Sequence, residues 1–220
     1  MRLDVDPEFD VFRRLHPTEV PAALSLAFGA ECSLIVIPSG APQSLRDSYE
    51  ALAARWQNQG SVITVVSDNA IDDLPADGAV WLLGWENRFL DRFKENSQDE
   101  DLSWTSAGVV LNGTTYDADR ATVVLTTRRR DNPRQALVWL SAGQSAAVAG
   151  LAAKLPHYRK YSYLVFTGAE PTLIVKGQWP IHGSPLSVIF AAEAGSQIPP
   201  PDRLAVQRSL IELPLPPQTH

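Results

Sequence analysis

Sulfur is nearly absent from this chain. Cys32 is its single cysteine and Met1 its single methionine, so neither an intrachain disulfide nor a cysteine-based metal cluster can form. Long apolar runs are missing too, and nothing approaches the roughly 18 residues of a membrane span. Residues Met1 to Phe9 are acidic and lack the apolar core of a signal peptide. Positive charge is scarce: 19 Lys and Arg face 25 Asp and Glu, a net charge of −6. Such a chain is poorly suited to general nucleic-acid binding, which draws affinity from neutralising phosphates.

Motifs for chemistry are equally thin. His16, His157, His182 and His220 are scattered, with no His-x-x-x-His pair and no His-Glu-x-x-His helix. They read as surface or hydrogen-bonded histidines. No Gly-x-Ser-x-Gly elbow, dinucleotide fingerprint or phosphate loop occurs, so no cofactor is expected in this chain. The nearest approach to an elbow, Ala142–Gly143–Gln144–Ser145–Ala146, lacks its second glycine, and Ser145 reads as the start of a helix. Cys32 precedes an apolar strand and reads as a small buried residue.

What remains is 220 residues, 45% hydrophobic and 20% charged, enough for one large domain or a domain with an appendage. Apolar runs at Ser33–Ile37, Val62–Val66, Ala79–Leu83 and Ala136–Ser141 have the signature of strands buried on both faces, expected to be parallel and central. Thr18 is placed to cap a helix through Phe28. Ser44 with Asp47 is placed to cap a second helix, whose Leu45, Tyr49, Leu52, Ala53 and Trp56 share one face. A short helix ends near Asn96, and small residues from Ala146 to Ala153 form another. Gly108–Asn112 and Ala121–Thr127 suggest a hairpin or edge meander; Tyr161–Thr167 and Thr172–Gln178 suggest a strand pair, and Leu186–Phe190 a last strand. Together they spell an α/β fold: a three-layer doubly wound sheet, Rossmann-like or flavodoxin-like, mainly parallel with an antiparallel edge meander. Three parts are expected. Residues 1–17 form an extended lead-in, with Phe9 and Phe12 packed on the body and Arg13 and Arg14 facing solvent or acids. Residues 18–195 form the α/β domain. Residues 196–220 form a proline-rich segment in which Asp202–Leu213 looks helical.

A doubly wound sheet binds ligands at the C-terminal ends of its strands. There the candidates are Asp68, Glu86, Asn87, Gly143 and Ser145. Asp68 and Glu86 could pair for acid–base work, and the Gly143 turn could offer amides to an anion. The plainer reading makes Asp68 a turn residue and Asn87 a helix cap. The arginine turn Arg128–Arg130 suits carboxylate or phosphate, while the plainer reading makes it a solvated hairpin corner or a contact with another acidic domain. Trp81 and Trp139 alternate within strands and read as core, whereas Trp85, Trp104 and Trp179 flank loops as a possible docking surface.

Three segments carry a resemblance. They are Val5–Asp6–Pro7–Glu8–Phe9–Asp10–Val11–Phe12–Arg13–Arg14–Leu15 with Glu19–Val20–Pro21, then Val80–Trp81–Leu82–Leu83–Gly84–Trp85–Glu86–Asn87, and Leu155–Pro156–His157–Tyr158–Arg159–Lys160–Tyr161–Ser162–Tyr163–Leu164–Val165–Phe166. Together they resemble the region downstream of the catalytic part in certain bacterial proteins related to the gluzincin aminopeptidases, the aminopeptidase N type. The zinc motif and catalytic glutamate of that family have no match here, so no catalytic residue carries over. The resemblance implies a non-catalytic accessory domain of a larger, exported metallopeptidase-like protein. Its partners would be the catalytic domain of that parent and a peptide substrate. The alternative is a free-standing ligand-binding domain or enzyme using the strand-end crevice.

Overall fold

The computed structural model describes residues 2–7, 10–57, 62–181 and 183–190. Phe9, His182, His220 and the proline-rich segment 196–220 with its expected helix lie outside them. The central sheet has seven strands: β2 (Cys32–Ile37), β3 (Val62–Ser67), β4 (Ala79–Leu83), β8 (Ala121–Arg128), β9 (Ala136–Ala142), β10 (Tyr163–Thr167) and β11 (Thr172–Gly177). Their order is β11-β10-β8-β9-β4-β2-β3. Two small sheets stand apart from it. One is antiparallel, of β5 (Leu102–Trp104), β6 (Gly108–Leu111) and β7 (Thr114–Asp117); the other pairs β1 (Arg2–Asp4) with β12 (Ser187–Ile189).

This corrects the expected doubly wound, mainly parallel fold. β3, β2, β4 and β9 are indeed mutually parallel, but β9–β8, β8–β10 and β10–β11 are antiparallel, so the sheet is mixed in equal parts. The physical reason is connection length. β8 turns back into β9 through only residues 129–135, and a parallel partner would need a crossover of a dozen or more. Double-sided burial cannot reveal direction, because antiparallel β8 is buried along seven of its eight residues, much like parallel β4. β3 is also not central. It forms the edge of the sheet, and Val62 is 68% exposed.

Strand residues alternate between two apolar cores. On one face Ile35, Trp81, Val138, Leu140 and Phe166 pack beneath α1 (Leu24–Phe28), α2 (Gln43–Gln57) and α4 (Ser145–Lys154). The helical period of α2 brings Tyr49, Leu52, Ala53 and Trp56 inward, and the Trp56 indole donates to Ala152 O of α4 at 3.0 Å. On the other face Val80, Leu82, Leu137 and Trp139 pack against α3 (Leu90–Asn96) and the small sheet β5–β7. That face carries one short helix rather than a helical layer.

Local chemistry adjusts other expectations. The Thr18–Phe28 helix is broken in two. Residues 17–19 form a 3-10 turn capped by His16, whose ring nitrogen accepts from the Thr18 amide, and α1 starts only at Leu24. Pro21 explains the break, since it pushes Val20 into the extended region and offers no N–H. α2 begins at Gln43, so Ser44 lies inside the helix rather than capping it. Cys32 is exposed, not buried, at the outer start of β2. The loop tryptophans are largely core. Trp179 is buried, and the Trp85 and Trp104 rings each stand 4.9 Å from Trp139.

Burial along the sheet sets a contrast between strands. Ile35 of β2 has no exposed surface. Ile35→Asp should therefore prevent stable folding, because it buries an unpaired charge. Val62→Asp on the edge strand should shift stability by no more than about 0.5 kcal/mol. Thermal denaturation of the two variants checks this, and equal effects would contradict the strand order.

Candidate functional site

Asp68, Glu86, Asn87, Gly143 and Ser145 do collect where β2, β3, β4 and β9 end, but most of their polar groups are already occupied. Asp68 follows β3 and is 2% exposed. One carboxylate oxygen accepts the Ser39 amide at 2.9 Å, after β2; the other accepts the Arg88 amide at 2.9 Å, after β4. Its carboxylate therefore ties two loops together. Burial pushes its pKa up more than any other single influence, yet the bonds from Ser39 and Arg88 together prevail and hold it below the usual carboxylate value.

Asn87 is buried. Its amide donates to Val36 O at 2.9 Å and Leu83 O at 3.1 Å, while its oxygen accepts the Phe89 amide at 3.1 Å. The expected cap role is not met, since α3 starts from Phe89 with no side-chain cap; Asn87 instead makes a local turn and stitches β2 to β4 just ahead of the helix. Glu86 is exposed and folds back over Gly84. Gly84 has φ +79°, and a Cβ there would come within 2.7 Å of the Pro38 ring, so the space at this strand end is already filled. Gly143 offers no free amide, since its N–H donates to Ala121 O at 3.2 Å. A Cβ on it would strike the Asp119 backbone at 2.3 Å. Ser145 opens α4, as expected. Tyr49 closes the floor: its hydroxyl accepts the Ala142 amide at 3.2 Å, and burial pushes its pKa up to about 12.

One opening of about 500 Å³ lies by Asp117–Arg120, next to Gly143, but larger spaces lie at the opposite end of the sheet. β9 spans seven residues, about 20 Å at the usual rise per residue, and two adjoining cavities sit beyond its first residue. Their volumes are about 610 and 730 Å³, and they share His16, Pro17, Val20, Arg128 and Pro185. The arginine turn borders them; Arg130 is exposed, as at a solvated corner, whereas Arg128 and Arg129 are drawn inward. Arg129 is only 4% exposed, with its Nε donating to Asp131 at 2.9 Å and a further bond to Pro75 O. Arg128 is half-buried, donating to Pro133 O at 2.8 Å and Val20 O at 3.2 Å.

At the second cavity, the lead-in is fixed by a buried carboxylate. Glu19 is 2% exposed. It receives a two-pronged pair from Arg13 at 2.7 and 2.9 Å, the His16 amide at 2.7 Å and the Ser184 hydroxyl. Arg13 also reaches Asp6 at 2.8 Å. These bonds, from Arg13 first, lower the Glu19 pKa to about 2. Nothing in a single sequence marks the pairing of Glu19 with Ser184, 165 positions away. Phe12 departs from expectation: it is fully exposed rather than packed on the body.

No protein-family model matches this chain, and no curated protein matches it. Among the described residues, no three His, Cys, Asp or Glu side chains gather where one metal ion could be held. No helix among them is long and apolar enough to cross a membrane.

Two measurements follow. Asp68→Ala orphans two backbone amides and should cost about 1–3 kcal/mol in urea unfolding, whereas Glu86→Ala should stay within about 0.5 kcal/mol. The second concerns Glu19. Its folded pKa lies below its unfolded one, so its contribution is complete above about pH 4.5 and is lost as the pH falls towards about 2. Hydrogen-exchange protection of the His16 amide should fall across that window, and Glu19→Gln should show the loss already at neutral pH.

Proposed function

We propose that this chain is a non-catalytic accessory domain that docks on the catalytic domain of a larger metallopeptidase-like protein. One observation carries the reading: where the apolar surface lies. Among the described residues, eleven large apolar side chains are exposed, and nine of them fall within residues 3–20 and 181–190. The other two are Val62 and Ile174. These two segments lie together, because β1 pairs with β12 and Glu19 holds Ser184. Scattered apolar residues need no explanation, but a concentration on one strap marks an interaction surface.

Phe12 and Val11 project from a segment pinned by the Arg13–Glu19 pair, so their exposure is built into an ordered backbone. Covering each would contribute about 1.5–3 kcal/mol to an interface. The choice of parent rests on the resemblance, whose first segment, Val5 to Leu15, is this same strap. The strand-end crevice supports the enzyme alternative less well, since Asp68, Asn87 and Gly143 spend their polar groups on the fold.

A photo-crosslinking amino acid at position 12, in the protein as its own cells produce it, tests the proposal. The expected product joins Phe12's position to a peptide from a polypeptide bearing a His-Glu-x-x-His motif. Crosslinks confined to this domain itself would overturn it.

A further inference from the structure

The cavities beyond the start of β9 carry a charge pattern that the docking strap does not explain. Arg13, Arg14, Arg128 and Arg134 line the second cavity, and Glu19 is its one carboxylate. Glu19 is committed to Arg13. Arg14, Arg128 and Arg134 have no carboxylate partner among the described residues. In a protein of net charge −6, three unpaired guanidinium groups around one cavity are a local reversal of sign.

Arg128 makes the reversal costly. It is half-buried, its terminal nitrogens are held by two neutral carbonyls, and its Nε is buried without a partner among the described residues. Burial pushes its pKa down. A guanidinium taken out of water without an anion is unfavourable, and a carboxylate beside it would offset that cost. The carbonyl bonds also fix the side chain in place, so little side-chain freedom remains to be lost on binding.

The remaining surface indicates what carries the anion. Leu15, Leu26 and Leu186 flank the arginines in the second cavity, and Pro21, Pro180 and Ile181 line the first. Two joined cavities of about 610 and 730 Å³ far exceed the space a small inorganic ion needs. Trp179, the one Trp, Tyr or Phe lining them among the described residues, is buried, which leaves the His16 imidazole as the only exposed ring there, too little for a stacking platform for successive bases. The first cavity has its own Arg130–Asp99 pair and Glu100, so the uncompensated positive charge is concentrated in the second.

We infer that this groove is a binding site for an extended acidic peptide, with a carboxylate at Arg14, Arg128 and Arg134 and apolar side chains along the proline-lined wall. The site shares Leu15, Val20 and Ile181 with the docking strap but not Val11 or Phe12, and its test uses this chain alone, so the outcome is independent of the parent's identity.

Fluorescence anisotropy of the whole chain tests it with a fluorescein-labelled decapeptide alternating glutamate and valine. The same peptide with glutamine for glutamate should bind at least tenfold more weakly, and added sodium chloride should weaken the glutamate peptide. Arg128→Gln should cost at least tenfold. If that variant fails to fold, the surface double variant Arg14→Gln, Arg134→Gln decides, with at least a fivefold loss expected at unchanged melting temperature. Three results overturn the inference. One is equal binding of the two peptides, another is inorganic phosphate binding as tightly as the peptide, and the third is tighter binding of a single-stranded DNA 20-mer.

Discussion

Trp139 is the residue around which the two halves of this protein are assembled. It lies on β9, the one strand with a parallel neighbour on one side and an antiparallel neighbour on the other. Its ring is fully buried, and its indole donates to Gly84 O at 2.9 Å. That bond ties β9 to the turn that ends β4. A buried indole N–H requires a partner, and the Gly84 carbonyl is positioned to supply one. The Trp85 and Trp104 rings then meet the same indole edge to face. In this way one side chain seats the small antiparallel sheet on the face that a doubly wound fold would cover with helices.

The change of strand direction at β9 also decides where surface chemistry is available. In the parallel half, loops leave the strand ends at Ser39, Asp68 and Gly84, and they are drawn together by Asp68 and Asn87. Tight stitching of this kind leaves the crevice filled. In the antiparallel half, the short β8–β9 turn carries Arg128 and Arg129 to the other end of the sheet. There they meet the lead-in and the segment after Trp179. The two larger cavities, and arginines with no carboxylate partner among the described residues, therefore sit away from the end that a parallel sheet would use.

The lead-in is held by polar rather than apolar contacts. Glu19 is buried with four hydrogen bonds, and a buried carboxylate is tolerated only when it is so satisfied. This arrangement frees the apolar residues of the segment to face outward. Order and exposure coexist in the strap because different side chains provide each of them.

Much was determined by the sequence alone. The positions of strands β2, β3, β4 and β9, the buried face of α2, the core roles of Trp81 and Trp139, and the helix start at Ser145 all follow from local pattern. Periodicity and apolar runs report burial, and burial is a property of short segments. Direction and depth were decided elsewhere. Whether β8 and β10 run with or against β9 depends on connections, and whether β3 is central or at the edge depends on which strands it meets. Likewise, Asp68 is a turn residue by local sequence, and only the tertiary structure supplies the Ser39 and Arg88 amides that consume its carboxylate. Arg128 reads as one of three adjacent arginines, yet the fold gives Arg129 a carboxylate and leaves Arg128 with carbonyls alone. Charge pairing over long separations is set by packing, which no local pattern encodes.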